Sequence, residues 1–101
     1  MKILVTRSAF KDLAQIWNYI AADSIDAADR VLDRVNDAIR KVAEAPGMGH
    51  RRDDVENPSY RFWSVYSYLI AYRTQGEKQY VSRVIHGARD LSKVFGRRKR
   101  R

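Results

Sequence analysis

The sequence contains no cysteine. That excludes disulfides, thiolate metal sites and cysteine nucleophiles together, and it fits a cytoplasmic protein. Histidine is nearly as scarce: His50 and His86 stand far apart, without the neighbouring carboxylates of a metal motif. No apolar run approaches the roughly 20 residues of a membrane helix. The opening Met1–Thr6 is too short, and too soon followed by charge, to act as a signal peptide; it reads as a first strand. There is no Gly-x-Ser-x-Gly elbow and no serine with an obvious partner base. The glycines at 47 and 49 lack the lysine and the spacing of a phosphate-binding loop.

Acidic residues are also unevenly distributed. Residues 1–45 carry seven Lys/Arg and seven Asp/Glu, whereas residues 46–101 carry thirteen basic and five acidic residues. The whole net charge of +8 therefore lies in the second part, five charges of it in the run Arg97-Arg98-Lys99-Arg100-Arg101. Such an excess suits a polyanionic partner, nucleic acid or an acidic protein segment; it equally suits a solvated surface with a tail. With 101 residues and 45% hydrophobic content, the chain has room for one domain with one small core.

The periodicity organises that domain. Ser8 offers an N-cap for a helix over about Ala9–Ala22, with Phe10, Leu13, Ala14, Trp17, Ile20 and Ala21 as its apolar stripe. Trp17 reads as a core anchor on that stripe. Ser24 offers the next cap, and Ala28, Val31, Leu32, Val35, Ala38, Ile39, Val42 and Ala43 keep helical spacing until Pro46-Gly47. Asp26, Asp29, Asp33 and Asp37 on its outer face are interleaved with Arg30, Arg34, Arg40 and Lys41. This is an ion-paired solvated face, with Asp26–Arg30 and Asp37–Lys41 four apart in the favourable order, rather than a metal site.

Beyond Pro58 the period becomes that of strands: Tyr60–Trp63, Tyr68–Arg73 and Gln79–His86, joined by turns at 65–67 and 74–78. Connections so short make the meander antiparallel. The expected architecture is α+β: β-α-α-β-β-β, a helical hairpin on one face of a mainly antiparallel sheet, the other face partly open. The domain spans residues 1–95, with a flexible basic tail at 96–101.

Without cysteine, metal or cofactor, the chemistry left is metal-free RNA cleavage, with His86 as acid or base beside arginines such as Arg61 and Arg83. Alternation along a regular strand opposes it, placing Arg83 and His86 on opposite faces unless the strand bulges or ends between them. The tyrosines could stack bases, but they also suit cross-strand packing.

Several segments resemble the RelE/ParE superfamily of bacterial toxins, and within it the ParE branch. They are Ala27–Arg34, Pro46–Gly49 with Arg51–Asp54, Tyr68–Arg73, and Arg83-Val84-Ile85-His86-Gly87-Ala88-Arg89-Asp90-Leu91. With the first strand and helix they cover about residues 2–92 in family order. The resemblance implies a cytoplasmic type II toxin neutralised by a cognate antitoxin in a hetero-oligomer, with no membrane association. ParE-like members are associated with DNA gyrase, and RelE-like members with ribosome-dependent mRNA cleavage. Gly87 follows His86 where an aromatic residue would suit a nuclease, and no lysine or glutamate clusters mark the later strands. Both departures favour a non-catalytic gyrase inhibitor, with nucleic-acid contact open to it. Its target-binding residues would be Arg61, Arg83, Arg89, Arg97, Arg98, Lys99, Arg100 and Arg101. If the chain were instead a nuclease, His86, Arg83 and Arg61 would carry the catalysis.

Overall fold

A computed structural model describes residues 3–52, 55, 57–87 and 94–95. The chain forms β1 (Ile3–Val5), α1 (Arg7–Ala21), α2 (Ile25–Glu44), a one-turn 3₁₀ helix (Pro46–Met48), β2 (Tyr60–Val65), β3 (Tyr68–Gln75) and β4 (Lys78–His86). The sheet order is β1-β4-β3-β2. The meander is antiparallel, and β1 joins it parallel to β4, Val5 opposite Val81. The expected order and hairpin-on-sheet arrangement are as observed.

Two turns set the register. Tyr66-Ser67 joins β2 to β3 with Tyr66 at a positive φ of 53°, the backbone sign that tight hairpin turns demand. Gly76 supplies the same sign, φ 63°, without a side chain to object. Ser82 is an extra residue in β4, because Ala71 pairs with Arg83 and Tyr72 with Val81.

The helices pack on one face. Ala9, Leu13, Ile16, Val35, Ala38, Ile39 and Val42 meet Ile70, Tyr72, Val81 and Val84. A second cluster of Val55, Phe62, Ala71 and Ile85 lies on the opposite face, with Val94 and Phe95 against it. Phe95 sits edge-on to Phe62 at 5.5 Å and tilted against Tyr60 at 4.9 Å. The face expected to be partly open is thus covered in part by residues near the C-terminus.

The first helix departs from the pattern reading. Its N-cap is Thr6, not Ser8: the Thr6 hydroxyl accepts from the Ala9 N–H at 3.2 Å and donates to the Ser82 carbonyl at 3.0 Å. The buried side is Ala9, Asp12, Leu13 and Ile16, rotated by about one residue from the expected stripe. Phe10 is left 62% exposed. Trp17 is half-buried and bridges the hairpin instead of anchoring the core, its indole N–H donating to Asp29 Oδ1 at 2.9 Å. The cause is Asp12, a carboxylate in a core-facing position. In α2, Ser24 caps as expected, accepting from Ala27 N–H at 3.1 Å. Asp37, however, pairs with Arg40 three residues on, not with Lys41.

Candidate functional site

Because β1 stops at Val5, no strand among the described residues neighbours the edge of β4 beyond Val81. The next elements of the chain, Thr6 and the first turns of α1, close that edge. Thr6 N–H donates to the Val81 carbonyl at 3.1 Å. Asp12 then accepts three hydrogen bonds: Arg83 Nε to Oδ2 at 2.7 Å, Arg83 Nη2 to Oδ1 at 3.0 Å, and the Val84 N–H to Oδ2 at 3.0 Å. Asp12 is only 8% exposed, so its charge is compensated by a bidentate guanidinium and a backbone donor. The hydrogen bond that Arg83 donates to Asp12 raises the Arg83 pKa further, keeping the guanidinium charged.

On β3, Tyr72 anchors a second network. Its hydroxyl, 1% exposed with the rest of the residue, donates to the Pro46 carbonyl at 2.6 Å and accepts from the Gly49 N–H at 2.8 Å. Arg61 Nη1 donates to the Gly49 carbonyl at 3.0 Å. The Pro46–Gly49 segment is thereby tied to the sheet, and His50 is delivered onto β2. There it exchanges two backbone hydrogen bonds with Phe62, both 2.8 Å, and stacks on Trp63 with rings 6.2 Å apart and 12° from parallel. Of the two glycines that look like a weak phosphate loop, Gly49 serves packing against Tyr72, and Gly47 has open space beside it.

Burial raises the Tyr72 pKa above that of an ordinary tyrosine. A native phenol held neutral contributes stability that is complete below pH 10 and lost as pH rises toward the raised value. Between the two, the unfolded chain has released a proton that the native state keeps, so unfolding becomes easier with rising pH. Stability above pH 10 is therefore expected to fall by up to about 1.4 kcal/mol per pH unit more in the wild type than in Tyr72→Phe. Urea unfolding of both proteins from pH 8 to 11 checks this, and parallel curves would refute it.

Of the residues nominated from sequence, Arg61 and Arg83 are both engaged within the protein, with 29% of the Arg83 side chain accessible. Arg89, Arg97, Arg98, Lys99, Arg100 and Arg101 lie outside the described residues. His86 is exposed at the end of β4, its ring edge-on to Tyr68 at 5.8 Å. The Ser82 bulge precedes both Arg83 and His86. Arg83 stands opposite Ala71 and His86 opposite Tyr68, on different faces. Gly87 follows, its N–H donating to the Ser67 carbonyl at 2.7 Å.

Among the described residues, no cluster of three or more metal-ligating side chains occurs, and no helix is long and apolar enough to cross a membrane. Sequence reasoning missed Asp12 and Tyr72. A signal for Asp12 existed: it shares helical phase with Ala9 and Ile16, both apolar. Nothing in the sequence distinguishes Tyr72 from the other five tyrosines.

A solved structure described as the chromosomal ParDE TA system from P. aeruginosa superposes with a TM-score of 0.72. It covers 85% of this chain and 95% of that one at 19% identity. At that identity the likeness is one of fold. Toxin ParE3 of Caulobacter vibrioides is 24% identical over 98 residues, 96% of this chain and 97% of the relative. The family described as ParE toxin of type II toxin-antitoxin system, parDE, matches residues 3–91. The chain belongs to that ParE toxin family.

Proposed function

We propose that the protein restrains bacterial growth in the cytoplasm by binding DNA gyrase, without catalysing a reaction, and that a cognate antitoxin neutralises it in a toxin–antitoxin complex. The observation that carries the non-catalytic part is the capture of Arg83 by Asp12, which holds both Nε and Nη2 of the guanidinium in a bidentate pair. A general acid–base group and the cation that stabilises its transition state must converge on one phosphate. Here Asp12 holds the cation instead. Target contact falls to the basic residues nominated above, Arg61 and Arg83 through the donors left after their internal bonds, together with Arg89 and the run at 97–101.

The expected result is that the purified chain inhibits gyrase supercoiling and that equimolar antitoxin restores it. His86→Ala, at an exposed position, should leave growth inhibition unchanged. Loss of toxicity in that variant, together with loss of mRNA cleavage on ribosomes and an intact fold, would transfer the protein to the nuclease branch.

A further inference from the structure

A groove of about 700 Å³ runs between α2 and the β2–β3 turn. Its two walls differ in chemistry. On α2, Arg34, Ala38 and Lys41 fall at i, i+4 and i+7, a single stripe, and Arg40 stands beside them. On β2 and its turn, Trp63 and Tyr66 form the facing wall. Trp63 carries the stacked ring of His50, and exposed Arg51 follows directly. Tyr66 is 63% exposed and takes a positive φ in the β2–β3 turn. Asp37 and Glu44 are also in the lining, Asp37 neutralised by Arg40. Arg34 and Lys41 form no ion pair among the described residues.

A cationic wall facing aromatic rings is the arrangement that holds a single nucleic-acid strand, phosphates on one side and stacked bases on the other. A partner helix suits it less well, because apart from the aromatics only Ala38 and Val65 offer apolar anchors. An added peptide strand is limited too: the outward N–H and carbonyl of Phe62 on β2 are already taken by His50. Within the lining, Glu44 is a hydrogen-bond acceptor suited to an exocyclic base amine.

We propose that this groove binds single-stranded DNA, its phosphates on Arg34 and Lys41 and its bases on Tyr66 and Trp63. The choice of DNA over RNA rests on the gyrase reading; the strand chemistry rests on the groove alone.

The test is fluorescence anisotropy of the full-length protein with labelled oligodeoxycytidylate of about 12 nucleotides, a length within single-strand site sizes. Gyrase is absent, so the outcome is separate from the supercoiling assay. Arg34→Gln with Lys41→Gln, both at exposed helix positions, should lower the log–log salt slope by about 1.4, or about 0.7 for each phosphate no longer neutralised. Tyr66→Asn removes a ring where asparagine tolerates the positive φ, and should weaken binding about tenfold. Replacing residues 97–101 by serine should leave the groove's contribution in place, and circular dichroism confirms that each variant is folded. Three outcomes would overturn the proposal: binding lost with the 97–101 replacement but untouched by the groove variants; RNA of matching sequence bound in preference to DNA; or an acidic peptide captured in the groove while oligonucleotide is not.

Discussion

Asp12→Ala is expected to lower the unfolding free energy by about 3 kcal/mol, the low end of the range for breaking a buried ion pair from one side. The substitution strands two partners at once. Arg83 loses both hydrogen bonds of its bidentate pair, and the Val84 N–H loses its acceptor at a β4 edge that no strand among the described residues covers. Val84 is 2% exposed, so water does not readily replace the carboxylate there. Asp12→Asn keeps an oxygen for one donor while removing the charge, and should cost roughly 1–2 kcal/mol. Urea denaturation measures both. A loss under about 0.5 kcal/mol for the alanine variant, the range of ordinary surface changes, would show the clamp to be incidental. Adding Arg83→Met to Asp12→Ala should recover part of the loss, because the guanidinium left unpaired by the first change is then gone.

Gly49→Ala should destabilise by about 2–3 kcal/mol, the upper range for overpacking a tight site. A Cβ at residue 49 would lie 2.8 Å from both Cε1 and Cζ of Tyr72, and closer still to its hydroxyl oxygen. Tyr72 cannot retreat: it is 1% exposed, inside the core cluster, and its hydroxyl is fixed by Pro46 and Gly49. Either the ring moves and loses those bonds, or the Pro46–Gly49 segment lifts and pulls His50 from β2. Thermal or urea unfolding of Gly49→Ala, Tyr72→Leu and the double variant tests the assignment. The double variant should be clearly more stable than the sum of the single losses predicts. Strict additivity would mean that the clash is relieved elsewhere. Gly47 has nothing within 4 Å of its notional Cβ and serves as a tolerant control two residues away.

These two sites show where local pattern stops informing the fold. The alternating strands were legible, one or two residues short at an end, because Tyr60–Trp63, Tyr68–Arg73 and Gln79–His86 are rich in β-branched and aromatic residues separated by short turns. The second helix was legible from cap to end, since its apolar residues keep one phase and Ser24 and Pro46 bracket them. The first helix was read one residue out of phase. Periodicity treats an aspartate as outward-facing, and the acceptor that Asp12 supplies becomes necessary only when β4 arrives from more than seventy residues away. Phe10 and Trp17 then appear as core, although the helix turns them from it.

The candidate site divides in the same way. Strand alternation separated Arg83 from His86 on sequence grounds, and the paired register agrees, since the bulge precedes both residues. Which arginines are already engaged was not legible: Arg61 and Arg83 look like Arg51 or Arg73 in the sequence, and only packing gives them Gly49 and Asp12 as partners. By itself, then, the sequence determined the element order, the antiparallel meander, the basic second part and the resemblance to ParE toxins. All of these depend on neighbours within a few residues or on the order of segments. The tertiary structure alone decided the facing of α1, the role of Gly49, the closure of the β4 edge and the two-walled groove beside α2. Each of these is a contact between residues distant in the chain, whose energy exists only once the sheet and the hairpin have met.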